Sequence, residues 1–320
     1  MSKRGIKGAI KALCAPLLLM LNGCSKSGLY LLEPEGTISR VTHHYFNLDV
    51  GIMLLIIIPT ALLSVWAMWR YRKGGGGSYR PDWSHSWFIE AVVWGIPLIT
   101  VGVLSYLSVK AIYKVNPYNP GALAHQEAAA GKPLEVDVIV TDWRWLFIYP
   151  GQRIASVNHL VLPVGVPVHF RLTSTSVVND FIIPQLVGMI DVIPGMRTKQ
   201  TLEASKTGHY VGFSADYSGA GLSWMNFETQ TVTKAKFAQW VKKTQAAPHN
   251  MTDAAFNLFA KPYISIDHRP MVFGHVQSGL FDYVVHEVMS GKVWPTPTAM
   301  TENMVKYMNK QQANVKAGDY

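Results

Sequence analysis

The sequence predicts a membrane-anchored α+β protein: a two-helix transmembrane hairpin, then a β-sandwich domain, then a small helical C-terminal extension. Three observations predict it. Residues 50–69 and 91–109 are uncharged apolar runs, each close to the roughly 20 residues that cross about 30 Å of hydrocarbon as a helix. From Leu134 the apolar period drops to two, and short β-branched runs alternate with Gly- and Pro-marked breaks. Beyond Thr233 apolar residues return at helical spacing. With 320 residues, 49% of them hydrophobic, and a mean hydropathy of +0.13, the chain is too apolar for an ordinary soluble enzyme.

Residues 1–23 read as a targeting segment. Lys3, Arg4, Lys7 and Lys11 form a basic start, residues 12–21 an apolar stretch, and Leu21-Asn22-Gly23-Cys24 a cleavage site. That last run resembles a bacterial lipobox, so Cys24 is expected to carry lipid and to become the mature N-terminus. The alternative is a plain signal anchor with an idle cysteine. Only Cys14 and Cys24 occur, so no disulfide survives removal of the signal. The mature chain then holds 25 basic and 20 acidic residues, a net charge of +5 rather than +9. Nothing in that balance calls for a nucleic-acid partner. Residues 24–44 follow as an outer N-terminal segment.

The hairpin is expected over residues 45–110. Pro59 and Pro97 fall inside its spans, as membrane helices allow when neighbours re-satisfy the backbone. Between the spans lie Arg70, Arg72, Lys73, a four-glycine run and Arg80, against one acid, Asp82. The positive-inside bias puts this loop in the cytoplasm. Both the N-terminus and the long C-terminal region then face the periplasm of a bacterial inner membrane. Asp49 reads as a solvated charge at the outer end of the first helix. Glu90 opens the second, in His85-Ser86-Trp87-Phe88-Ile89-Glu90. An ionisable group at a membrane boundary is a candidate for proton traffic, with a carboxylate that merely favours the helix N-terminus as the alternative.

Residues 111–132 form a linker and 133–232 the sandwich. Val136, Val138 and Val140 alternate with Glu135, Asp137 and Ile139. Further strands are expected at 143–149, 168–173, 197–204, 208–215 and 224–231, with turns at Pro150-Gly151, Pro163-Val164-Gly165 and Pro194-Gly195. His159, His169 and His209 have no close-spaced ligand partner in sequence and read as satisfied or exposed histidines. Residues 233–292 form the helical region, with apolar groups at Phe237, Trp240 and Val241 and again at Phe256, Phe259 and Ala260. Residues 293–320 form a polar tail.

Within the sandwich, residues 214–225 read S-A-D-Y-S-G-A-G-L-S-W-M. The stretch resembles the loop Cys-x3-Cys-x3-His-x2-Met with which subunit II of the haem-copper oxidases holds a dinuclear copper centre. Ser214 and Ser218 take the cysteine positions, Leu222 the histidine position, and Met225 alone matches. Asp216, inside the loop, is counted with them as a position that binds no metal. The family's other ligand histidine, in Val-x-His-x-Phe, is Asn179 here, in Val177-Val178-Asn179-Asp180-Phe181. The aromatic strand Asp142-Trp143-Arg144-Trp145-Leu146-Phe147 and the segments Phe181-Ile182-Ile183-Pro184 and Asp191-Val192-Ile193-Pro194-Gly195 extend the similarity over roughly residues 24–290. Serine hydroxyls are neither soft nor deprotonated near neutral pH, and leucine has no donor atom, so no redox copper is expected.

The resemblance is to the bo-type quinol oxidase branch of this family, and it implies a cupredoxin-like sandwich in a non-redox subunit. The complex would oxidise ubiquinol, reduce dioxygen to water and pump protons, with haem and copper in subunit I and no cofactor here. Subunit I, further subunits and membrane lipid are the implied partners; cytochrome c is not. Glu90 matches the helix-start glutamate that lies near a proton-uptake pathway in the family. A true cytochrome c oxidase subunit II is excluded by four of the five ligand positions. A free-standing, lipid-anchored binding or assembly protein with the same domain is the alternative from another class.

Overall fold

A computed structural model describes residues 30–75, 85–118, 120–124, 132–264, 271–292 and 294. Cys24 with its targeting segment, Arg80, Asp82 and the polar tail from residue 295 lie outside the described residues. By contacts the chain divides into residues 1–33 and 34–320. In the first unit, Tyr30–Leu32 forms a single 3-10 turn.

In the second unit, helix α1 spans Thr37–Arg70 and α2 spans Trp87–Val115. Among the described residues these are the two helices long and apolar enough to cross a membrane. α1 starts well before the apolar run predicted for it. At about 1.5 Å per residue, its 34 residues reach about 51 Å, more than the hydrocarbon needs. The surplus is used outside it: Thr37, Ile38 and Ser39 are buried, the Gly36 amide donates to the Gln185 carbonyl at 3.1 Å, and the Ser39 hydroxyl donates to the same carbonyl at 2.6 Å. Thr37 Oγ1 donates to Glu203 Oε2 at 2.5 Å. Asp49, expected at a helix end, therefore sits well inside α1.

The sandwich follows as β1 (Leu134–Thr141), β2 (Arg144–Tyr149), β3 (Ile154–Val157), β4 (His159–Pro163), β5 (Val168–Ser174), β6 (Asn179–Ile183), β7 (Val187–Val192), β8 (Thr198–Leu202), β9 (Gly208–Phe213) and β10 (Asn226–Val232). Beyond it come α3 (Lys234–Gln245), β11 (Asn250–Met251), α4 (Asp253–Phe259), β12 (Met271–Phe273), β13 (His275–Val276) and α5 (Leu280–Met289). One sheet runs β12-β3-β2-β1-β5-β8, the other β4-β10-β9-β6-β7, and β11 pairs with β13. The fold class is the one the sequence predicts, and details differ within it. Trp143 is not in a strand but in the β1–β2 turn, at φ +70°. The C-terminal region is not only helical, because β12 extends the first sheet by pairing with β3.

The core forms two layers on either side of that sheet. Val136, Val138, Val140, Trp145, Phe147 and Tyr149 face the second sheet, with Phe170, Phe181 and Phe227. Ile139, Leu146, Ile148, Ala155 and Val157 face the other way, against Phe256, Phe259, Phe281, Val284 and Val285 of the C-terminal region. A strand covered on both faces has no reason to alternate, and every residue of β2 is buried.

Candidate functional site

Loop 214–225 joins β9 to β10 and is held from below by the aromatic residues of β2 and its preceding turn. Trp145 packs on Phe147, Phe181 and Phe227, with ring centroids 6.4, 5.8 and 5.0 Å away. Its indole N–H donates to the Met225 carbonyl at 3.3 Å. Trp143 Nε1 donates to the Ser218 carbonyl at 3.0 Å, which fixes the middle of the loop. The loop must be bare where that ring lies: a Cβ on Gly221 would stand 2.1 Å from Trp143 Cδ2. The left-handed backbone of Trp143, uncommon outside glycine and asparagine, is what aims its ring at the loop.

Four of the six singled-out positions come together there. Asn179, Ser214, Ser218 and Met225 are 1%, 7%, 4% and 1% exposed. The Ser214 hydroxyl donates to Asn179 Oδ1 at 3.3 Å and accepts the Asp180 amide at 3.1 Å. Asn179 Nδ2 donates to the Val177 carbonyl at 3.0 Å. The Ser218 hydroxyl donates to Met225 Sδ at 3.5 Å, and the Ser214 amide reaches the Met225 carbonyl at 3.4 Å. Leu222 is half-buried in a 3-10 turn. Asp216 is exposed and accepts the Tyr217 amide at 2.7 Å.

The fold thus brings these four side chains together, while the donor set does not fit copper. Two hydroxyls, an amide and one thioether stand where electron-transfer copper takes thiolates and imidazoles. The buried hydroxyl and amide groups are also engaged with one another, which removes the penalty of leaving them unpaired. Among the described residues, no group of three or more His, Cys, Asp or Glu side chains is placed to hold a metal ion.

Strand register makes two clusters that were not readable from spacing. Asp180 and Asp191 are directly opposed in β6 and β7. Burial, then the charges of Asp191 and Asp216, push the Asp180 carboxyl up to about 6. On the outer face of the second sheet, Glu228 lies beside two histidines. His209 Nδ1 is 2.5 Å from Glu228 Oε1, and His159 Nε2 is 3.9 Å from Glu228 Oε2. Both have a partner, as does His169. Burial lowers the His159 pKa, against the opposing pull of Glu228.

Glu90 sits in the first turn of α2, its amide donating to the Ser86 carbonyl at 3.0 Å. Its carboxylate Oε1 lies 2.6 Å from His85 Nδ1. Sequence reasoning quoted His85 within the helix-start motif and gave it no role; the contact spans the junction between an extended residue and a helix, which periodicity does not reach.

The chain is similar to known proteins over most of its length. Residues 134–232 match the family model for cytochrome c oxidase subunit II, periplasmic domain, and residues 245–292 match the COX aromatic rich motif. The cytochrome bo(3) ubiquinol oxidase subunit 2 of Pseudomonas putida is 39% identical over 246 residues, 77% of this chain and 76% of that protein. The ubiquinol oxidase subunit 2 of Acetobacter aceti is 37% identical over 283 residues, 88% of each. Among solved structures, the periplasmic domain of subunit II of the Bradyrhizobium japonicum cytochrome oxidase aligns over 36% of this chain and 95% of its own, at 25% identity and a TM-score of 0.34.

Proposed function

The chain belongs to the subunit 2 family of the cytochrome bo(3)-type ubiquinol oxidases, and from that premise we propose that it serves its respiratory complex without carrying electrons itself. Electrons pass from ubiquinol within the membrane to haem and copper held by subunit I. The two spanning helices clamp subunit I, both crossing the inner membrane, and the sandwich covers its periplasmic face. Cys24 carries a lipid anchor, and Glu90 receives protons on the cytoplasmic side.

The observation that carries this reading is the closed loop: Asn179, Ser214, Ser218 and Met225 occupy the family's ligand positions and bond to one another. A site built that way has no thiolate and no imidazole to share an electron between two metal ions. A quinol donor explains why none is needed, since its electrons arrive inside the membrane. The free-standing binding protein is disfavoured by α2, none of whose residues is buried within the chain.

The test is to purify the full chain in detergent, offer it copper with a reductant, remove the excess, and record metal content and visible absorption. A colourless, copper-free, folded chain is the expected result. Stoichiometric copper with absorption bands would mean that the chain retains an electron-transfer centre, and the reading would fall.

A further inference from the structure

At the end of α2 that leads into the sandwich, two lysines stand without counter-charge. Lys110 and Lys114 lie one helical turn apart, directly beyond the uncharged run that ends at Val109. The bias that gathers Arg70, Arg72 and Lys73 on the cytoplasmic side depletes the outer flank of basic residues, so a pair there needs a reason. Depth supplies one. At about 1.5 Å per helical residue, Lys110 stands about 1.5 Å and Lys114 about 7.5 Å beyond the apolar run. Tyr45 of α1, counted back from Val50 in the same way, is level with Lys114, and Lys114 Nζ does lie over the Tyr45 ring, 5.7 Å from its centroid. A headgroup layer about 5–7.5 Å thick on each side of the hydrocarbon takes in this whole level.

Lys110 Nζ lies over the Tyr106 ring, 4.7 Å from its centroid. An aromatic face attracts the ammonium and leaves some of its three N–H donors free. Among the described residues no carboxylate pairs with either ammonium. Asp49 is level with Lys110 and makes no ion pair with it. The same face of α2 runs on toward the hydrocarbon as Tyr106, Val103 and Ile99, at helical spacing and all exposed. The stripe is basic at headgroup depth and apolar below, which is the profile of an acidic phospholipid standing beside the helix.

We propose that Lys110 and Lys114 hold the phosphate of an acidic phospholipid in the outer leaflet. Tyr45 and Tyr106 restrain the two ammonium groups, and Val103 and Ile99 receive an acyl chain. The inference rests on the reading of α1 and α2 as membrane spans. Basic groups between spanning helices suit acidic headgroups. A soluble anion gains little at the same place, because exposed charges alone are screened by salt. The lipid therefore ties α1 to α2 just beneath the sandwich.

The test uses the full chain in neutral detergent, comparing wild type with Lys110→Gln/Lys114→Gln and Lys110→Arg/Lys114→Arg. Each is incubated with phosphatidylglycerol or phosphatidylcholine and repurified, and retained lipid per chain is measured by mass spectrometry. Wild type should retain phosphatidylglycerol and little phosphatidylcholine. The glutamine pair should bind phosphatidylglycerol about thirtyfold more weakly, each lysine near an acidic headgroup being worth about a factor of five. The arginine pair should match wild type. Excess inorganic phosphate should not displace the lipid. Equal retention by wild type and the glutamine pair overturns the inference, as does retention of phosphatidylcholine equal to that of phosphatidylglycerol. Displacement by inorganic phosphate overturns it too, and leaves an anion site that takes no lipid. Labelling of intact spheroplasts with a membrane-impermeant maleimide checks the premise separately: Lys199→Cys should react and Arg72→Cys should not. Any other pattern means that the reading of the spans fails and takes this one with it.

Discussion

Around loop 214–225, four side chains at the family's ligand positions, Asn179 of β6 among them, are at most 7% exposed and bond to one another; at the start of α2, His85 and Glu90 are more than half exposed and share a 2.6 Å contact. The first region is all packing. Trp143 and Trp145 pin the loop carbonyls, Gly221 makes room for an indole, and the donors present are two hydroxyls, an amide and one thioether. The second has almost no packing and two exposed polar side chains in contact. Neighbours over-determine the geometry here: β2, β6 and β10 need their aromatic contacts whether or not a metal is held. The open helix end has no such packing to fix its side chains.

Mutations can break or sharpen that contrast, taken from the largest expected effect to the smallest. Trp145→Ala removes a fully buried indole, its ring contacts and its bond to the Met225 carbonyl, and should destabilise the domain by about 4 kcal/mol, read from denaturant unfolding. Gly221→Ala pushes a methyl into the Trp143 ring and should cost about 2 kcal/mol, with tryptophan fluorescence reporting the displaced indole. Ser214→Ala strands the Asp180 amide and Asn179 Oδ1 and should cost about 1–2 kcal/mol. If Ser214→Ala instead lowered quinol turnover in a normally stable complex, the loop would be doing chemistry and the contrast would collapse.

Asp180→Asn should act in the other direction. The Asp180 carboxyl is raised to about 6 in the fold, from about 3.9 when unfolded, so folding favours its protonated form. Its contribution is fully present below about pH 4 and is lost as pH rises through about 6. An uncharged amide in its place carries no such loss. The variant should therefore gain about 1 kcal/mol over wild type at neutral pH, after allowing for screening by solvent around Asp191 and Asp216, and nothing near pH 4. Thermal melts at the two pH values would check it; an equal gain at both would show that Asp180 does not titrate in this range. Glu90→Gln should leave stability within about 0.5 kcal/mol and yet slow proton uptake, the reverse of the loop variants.

The two apolar helices and the longest strands were legible in the sequence because each carries its own signal: an apolar run or a period of two. What was missed depended on partners. β3 and β4 are four and five residues long, too short for a period to declare itself. β6 and β7 fall in segments around Asn179 and Asp191 that were quoted for their resemblance alone and assigned no strand. β12 is a strand only because β3 offers it an edge. Burial of β2, Arg144 to Tyr149, on its second face is supplied by Phe256, Phe259 and Phe281, more than a hundred residues away, which no local pattern shows. Trp143 reads as a strand residue by type, and only its ring's place over Gly221 explains the left-handed turn. At the sites the same division holds. Convergence of Asn179 with Ser214 follows from the family's spacing, whereas His159 and His209 meet at Glu228 only through the register of three strands.

The most direct test of the central claim follows the electrons themselves. Oxygen-free, assembled oxidase is mixed in a stopped-flow instrument with either ubiquinol or reduced cytochrome c, and haem reduction is recorded. Ubiquinol should reduce the haems at rates that sustain turnover, while cytochrome c at equal reducing strength should leave them oxidised. Rapid haem reduction by cytochrome c that Met225→Leu or Ser218→Ala abolishes would show that electrons enter through loop 214–225, and would contradict the account.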